Sequence, residues 1–358
     1  MVHSSDPDPP LAPRAAALAA LLAGLGGAAV SYAFAIQRQG FGDFLAWWHG
    51  ARVLLGGGDP YATPPNIAPF FIDEQLFYPL TALIATSPFV RLPYHVALAA
   101  FFGLGSGLLA YGVLRTAPHR LALFCGFPFI IAAQLGHWSP YLAAALLLPA
   151  LGFLIAVKPN LGIAALVTRP SRPMILGAAC LVVVSIAAMP SWPGRWLAAM
   201  ATAPPHLLPV GTWLGAPLVL AVLRWRRPEG RLLLAMSLLP QTATFADQLM
   251  LFLVPQTRRQ SLGLALIGVV GGVAWMVRLR SGGHPAIVGG PYVVAALYLP
   301  ALVVLLRQPN AGAIPGWMER RIAGLPAWIR GRHSAPEPAA TQDGENALSG
   351  LPAASDPR

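Results

Sequence analysis

Long uncharged runs, most of them closed by arginine, dominate this chain and leave it few ways to fold. They cover 15–37, 92–114, 121–157, 173–194, 196–223, 232–246, 248–257, 260–277 and 281–306. The first has 23 residues, and about 20 apolar residues span a bilayer core. Only 10% of the residues are charged and 56% are hydrophobic, whereas a soluble domain carries roughly 25% charged residues. The chain is therefore expected to be a polytopic membrane protein, and no segment is left to form a large soluble domain. The net charge of +11 rests almost wholly on arginine, with Lys158 the one lysine. These arginines sit singly or in short clusters between apolar runs, as the positive-inside rule places loop charge, so nucleic acid is not an expected partner.

Run lengths and charge predict the topology. The 121–157 run has 37 residues, about 55 Å as one helix, and is expected to break at Gly136-His137-Trp138-Ser139-Pro140. The 232–246 and 248–257 runs read as a helical hairpin whose tip, Thr244 to Gln248, reaches the outer face. The expected fold is all-α, a transmembrane helical bundle of about ten spans with interfacial helices in the first outer loop. Both termini are then cytoplasmic, in the inner membrane. With that orientation 18 basic residues face inward and 6 outward, the asymmetry the rule requires. Pro79–Leu92 and Asn160–Thr168 are too short to cross and read as interfacial or re-entrant. The expected parts are a cytoplasmic tail (1–14), a membrane domain (15–306) with an outer loop (38–78), and a cytoplasmic tail (307–358), largely disordered from 333. The first helix reads as retained. Cys125 and Cys180 lie in apolar runs and are expected as small core residues, neither disulfide-bonded nor metal-binding.

Carboxylates are so few that candidates for acid–base work are quickly counted. Between Pro9 and Met318 they are Asp43, Asp59, Asp73, Glu74, Glu229 and Asp247. Asp43 lies just beyond the first span, at the start of a stretch to Leu55 that is expected as an amphipathic surface helix ended by Gly56 to Pro60. Phe44, Trp47 and Trp48 suit a membrane interface. Asp59-Pro60 and Asp73-Glu74 read as turn and cap residues, and Asp43 alone would also serve as a helix cap. Asp247 lies between apolar runs, where an ionisable residue is either paired or functional. His137 reads as an interfacial histidine or a site residue, and Lys158 as a cytoplasmic contact to lipid headgroups.

Several landmarks occur together in order. Asp43 follows the first helix, Gly58-Asp59-Pro60-Tyr61 ends the next, and Phe77-Tyr78-Pro79 leads into an apolar run. Then come Gln134 to Pro140, Val157-Lys158-Pro159-Asn160-Leu161-Gly162, and Thr244-Phe245-Ala246-Asp247-Gln248-Leu249. This order resembles glycosyltransferase family 87, polytopic enzymes of the GT-C fold that use polyprenyl-phosphate-linked sugars, often mannose. The landmarks span about residues 40 to 257. The chain departs from the family in having Tyr78-Pro79-Leu80 where Tyr-Pro-Pro is usual, and its Gln134–Lys158 interval is shorter by about one helix pair.

The resemblance implies transfer of a hexose such as mannose from a polyprenyl-phosphate donor to a lipid or glycan hydroxyl on the outer face. It assigns the general base to Asp43. Such a reaction needs a carboxylate to take the acceptor proton and positive charge to receive the leaving phosphate. Arg52 is the candidate phosphate contact, with Tyr78, His137 and Asp247 as further substrate-binding residues. Direct displacement would invert the anomeric centre. No cofactor is expected, and an Asp43–Asp247 metal site offers fewer oxygens than hard cations usually take. Two other readings stay open: a transporter or flippase of a lipid-linked sugar, and a non-catalytic subunit of an envelope-polysaccharide complex. Ionisable residues clustered at one face, away from the midplane, favour the enzyme.

Overall fold

The computed structural model describes residues 9–38, 42–62, 66–67, 70–71, 76–203, 206–282, 288–312, 319–320, 323–326 and 330. Asp73, Glu74 and the 333–358 tail lie outside them. The described chain is helical apart from an antiparallel pair, Asn66–Ile67 with Phe70–Phe71. Its α-helices are α1 (Pro13–Arg38), α2 (Asp43–Leu55), α3 (Leu80–Thr86), α4 (Tyr94–Thr116), α5 (Phe127–Leu135) and α6 (Ser139–Leu147). Then follow α7 (Pro159–Thr168), α8 (Arg172–Ala188), α9 (Trp192–Met200), α10 (Pro228–Leu238), α11 (Arg258–Arg280) and α12 (Gly290–Leu306).

Among the described residues α1, α4 and α11 are long and apolar enough to cross a membrane. The count rises to five if Pro118–Cys125 with α5, and α8 with α9, each form one bent span. Their outward faces are apolar: Leu18, Leu22 and Leu25 on α1, Leu176 and Val183 on α8, and Leu266 and Val270 on α11 are exposed. Such a surface suits lipid.

Two expected runs are not single helices, for local reasons. The 121–157 run does break where expected, because Gly136 is left-handed (φ +67°) between α5 and α6. The 196–223 run is interrupted after α9, and Pro209 and Pro217 each fall at the start of a short 3₁₀ stretch, since inside a helix proline removes a backbone donor and clashes with the preceding turn. Helical structure resumes as a 3₁₀ stretch, Ala216–Arg224.

Close helix approach depends on small residues. A Cβ on Gly103 of α4 would stand 2.8 Å from Ala28 Cβ, and one on Gly24 of α1 would stand 3.0 Å from the Gly103 carbonyl oxygen. Small residues let backbones approach where lipid supplies no hydrophobic drive for helix association. Ser31 Oγ, fully buried, donates to the Ala133 carbonyl at 2.9 Å and ties α1 to α5.

Segments run between two ends of the bundle with different charge. At one end Arg115 donates to the Leu11 carbonyl, Arg120 to Pro255, Arg231 to Thr168 and Arg224 to Leu306. At the other end lie Asp43, Asp59 and Asp247. Lys158 joins this second end, away from Arg169 and Arg172, and is buried against Asp247, which corrects its expected contact with lipid headgroups. The chain turns back once more than the run lengths suggested. Pro149–Val157, a 3₁₀ stretch, climbs to Lys158, and α7 descends again to Thr168. Asn160–Thr168 is thus a packed helix with Leu161, Ala164 and Ala165 buried, and not an interfacial one. Its flanking cation needs no water or headgroup because a carboxylate meets it.

Two further expectations are corrected. Helix α2 does not lie on a surface with its aromatics in an interface: Phe44 and Trp47 are fully buried and Trp48 nearly so. They pack on Phe101, Tyr94 and Trp138. Cys125 and Cys180 are free thiols, but both are exposed on outward faces and are not core residues.

Candidate active site

Three left-handed residues set the site. Gly42 (φ +120°) precedes Asp43, Gly136 (φ +67°) precedes His137, and Phe245 (φ +69°) stands two before Asp247. Gly42 and Gly136 also interlock. A Cβ on Gly42 would lie 2.9 Å from Leu135 Cα, and one on Gly136 would lie 2.5 Å from Phe44 Cβ. The turn that launches α2 is therefore pressed against the turn that ends α5, and this places Asp43 beside His137. Phe245 is the one described non-glycine residue with positive φ, a conformation costing on the order of 1–3 kcal/mol. Its buried ring packs between Phe127 and Trp275, at 5.0 and 5.5 Å, and burying a Phe gains roughly 1.5–3 kcal/mol.

Asp43 opens α2 but does not cap it; Gly42 holds the cap position. Its Oδ2 instead accepts a 2.8 Å hydrogen bond from the Tyr78 hydroxyl and stands 3.9 Å from His137 Nε2. About a third of its side chain is exposed (34%), while His137 and Asp247 are buried. A carboxylate with a firm donor on one side and an open face on the other can take a proton from a bound hydroxyl.

Behind Asp43 lies a buried polar network. Lys158 Nζ donates to Asp247 Oδ1 at 2.6 Å and stands 2.7 Å from His137 Nε2. His137 Nε2 is 3.2 Å from the same oxygen, and His137 Nδ1 accepts the Ser139 amide. Asp247 Oδ2 accepts both the amide and the hydroxyl of Thr242, at 2.8 and 2.9 Å. Asp247 is thus fully engaged, which leaves it poorly placed as the second carboxylate of an Asp43 metal site. Among the described residues no three His, Cys, Asp or Glu side chains gather at metal-binding spacing.

Tyr78 sits before α3, outside the spanning helices. Burial, then the negative field of Asp43, pushes its phenol well above the ordinary tyrosine range, so it remains a hydrogen-bond donor. Trp47 meets its ring edge-on at 4.7 Å and Lys158 lies 5.6 Å over it. A chain of contacts leads outward to the rim. The Tyr61 hydroxyl donates to the Tyr78 carbonyl, the Tyr61 amide to Asp59 Oδ1, and Asp59 pairs with Arg195 on α9. Asp59 is therefore a turn residue, as its Pro neighbour implied. Trp196, next to Arg195, donates its indole N–H to the Phe77 carbonyl at 3.0 Å.

Of the expected residues, Asp43, Tyr78, His137 and Asp247 come together and Arg52 does not. Nine residues make two and a half helical turns, so Asp43 and Arg52 leave opposite faces of α2. Arg52 is exposed and stacks on Trp48, its guanidinium carbon 4.7 Å from the ring centre. Beside it, burial and then the Arg52 charge lower the pKa of His49. Two members of the cluster were missed as site residues, Lys158 and Thr242. The signal for Lys158 was its being the one lysine in an arginine-rich chain; for Thr242 there was none. No protein-family model, curated protein or solved structure matches this chain.

Proposed function

We propose that this protein is a membrane glycosyltransferase of the GT-C kind. It moves a hexose from a polyprenyl-phosphate donor to a hydroxyl of a lipid or glycan acceptor, with Asp43 as general base. One observation carries the reading. The Asp43 carboxylate is partly open, yet is oriented by Tyr78 and backed by a buried cation-containing network at one end of an apolar helical bundle.

In the proposed step the acceptor oxygen attacks the anomeric carbon as Asp43 removes its proton. The bond between that carbon and the phosphate oxygen breaks, its electron pair leaves with the polyprenyl phosphate, and the anomeric centre inverts. Tyr78 keeps Asp43 in place by donating to Oδ2 and leaves Oδ1 for the acceptor. Lys158 is held by Asp247 and is not free to receive phosphate. Arg52 leaves the far side of α2. The half-exposed Arg195 at the rim therefore takes the role first given to Arg52. The apolar helices that hold the site are suited to a lipid-linked donor and a bilayer setting.

The test is sugar transfer from radiolabelled polyprenyl-phosphate mannose and glucose into membrane lipids, with wild type and Asp43→Asn at matched expression. Transfer by wild type that disappears in the variant is the expected result. Transfer that survives in the variant removes Asp43 as base. No transfer with any donor, together with movement of the intact donor across vesicle membranes, would replace the enzyme by a flippase.

A further inference from the structure

The end of the bundle opposite Asp43 holds a second group of buried charge, unused by the proposed reaction. Arg120, Arg169, Arg227 and Arg231 converge there on Glu229, in the first turn of α10, while the other described carboxylate of that end, Glu319, is taken by Arg226. Arg120 has only 8% of its side chain exposed; its Nε donates to the Pro255 carbonyl and its Nη2 stands 3.6 Å from Glu229 Oε1. Arg227 Nε stands 3.4 Å from the other Glu229 oxygen without a hydrogen bond. Arg231 is committed to the carbonyls of Thr168, Trp225 and Arg226. Arg169 is exposed and makes one long 3.5 Å contact to Leu146.

Four guanidinium groups against one carboxylate leave a large positive excess in a place where Arg120 is nearly out of water. Buried charge is costly unless paired, and Arg169 and Arg227 repel Arg120 further. Glu229 cannot balance them all, since Gln256 Nε2 also occupies its Oε1 at 3.1 Å. Between Arg120, Arg169, Thr168 and Glu229 lies a recess of about 20 Å³, room for one water-sized group. A nucleotide or a sugar does not fit such a volume, but one oxygen of a larger anion does. The recess also lies at the ends of α6 and α7 and the start of α10, where apolar helices give way to arginine and lipid headgroups are expected.

We propose that this recess binds the phosphate of an anionic membrane lipid, with one phosphate oxygen seated between Arg120 and Arg169 and the rest of the headgroup outside it. The site requires a bilayer but no chemistry at Asp43, so it stands or falls independently of glycosyl transfer.

The full-length protein in phosphatidylcholine nanodiscs with a minority of phosphatidylglycerol, washed into phosphatidylcholine alone, provides the test, read by native mass spectrometry. One retained phosphatidylglycerol per chain is expected. Arg120→Gln or Arg169→Gln should lower its occupancy about tenfold or more, the scale of one charge-assisted hydrogen bond. Glu229→Gln removes the competing anion and should raise retention, a direction that misfolding cannot mimic. Substituting the exposed Arg258 and Arg259 at the same end should leave retention unchanged. No retained lipid overturns the proposal, as does retention indifferent to Arg120, Arg169 and Glu229. Displacement of the lipid by inorganic phosphate at low concentration would overturn the lipid as the source and make the site one for soluble phosphate.

Discussion

The Tyr78 hydroxyl donates to Asp43 Oδ2 across 2.8 Å, joining the first residue of α2 to the segment that leads into α3. If this bond holds the base in position, Tyr78→Phe should reduce kcat about tenfold or more with little change in KM, since hydrogen bonds to charged groups contribute about 1.5–3 kcal/mol. Steady-state transfer kinetics in membranes decide it. A change in KM alone would make Tyr78 a binding residue.

The same phenol gives a pH dependence of stability. Its pKa is raised in the folded state, by burial first and by Asp43 second. The stabilisation is therefore complete below the unfolded tyrosine value of about 10, and declines as pH rises above it, because ionisation is then easier in the unfolded chain. Thermal melts of the detergent-solubilised protein from neutral to strongly alkaline pH should fall less steeply for Tyr78→Phe than for wild type. Parallel curves would count against the assignment.

Lys158 and Asp247 form a buried pair at 2.6 Å. Breaking such a pair by removing one partner costs about 3–5 kcal/mol, whereas replacing both with apolar groups is often tolerated. Lys158→Met should therefore destabilise more than Lys158→Met combined with Asp247→Leu. A double-mutant cycle on apparent melting temperature measures the coupling, and additive effects would mean that the pair acts as two independent groups.

Gly136 and Gly57 offer a matched contrast. Both are left-handed, but a Cβ on Gly57 meets nothing within 4 Å while one on Gly136 strikes Phe44 and Leu98. Gly57→Ala should lose only the conformational preference, roughly 1–2 kcal/mol. Gly136→Ala should lose that and disturb the Asp43–His137 approach, so transfer activity falls further than stability. Equal effects of the two would show that the interlock does not position the site.

Arg52 faces away from Asp43, so Arg52→Ala is expected to leave the transfer rate within about fivefold of wild type, since the exposed cation–π contact it loses is worth only ~0.5–1 kcal/mol. Arg195→Ala should instead raise KM for the lipid-linked donor. A large effect at Arg52 in the same assay would restore it as the phosphate contact.

The sequence by itself determined the class of this protein. Uncharged runs far longer than a soluble domain tolerates demand helices, because a chain in hydrocarbon must satisfy its own backbone hydrogen bonds. The sequence also marked the break at Gly136 and the scarce carboxylates, since rare residue types and glycine positions are local signals. Tertiary structure alone decided which of those residues meet. Lys158 looked like a loop cation, and only the additional turn-back of the chain at 149–168 brings it to Asp247. Arg52 is a different case: the nine-residue spacing from Asp43 along an expected helix already set it on the far face, and the structure adds its stacking on Trp48. Pairing depends on the path of the chain between distant segments, and that path is set by packing such as Gly42 on Leu135 and Gly136 on Phe44, contacts with no local signature in the sequence.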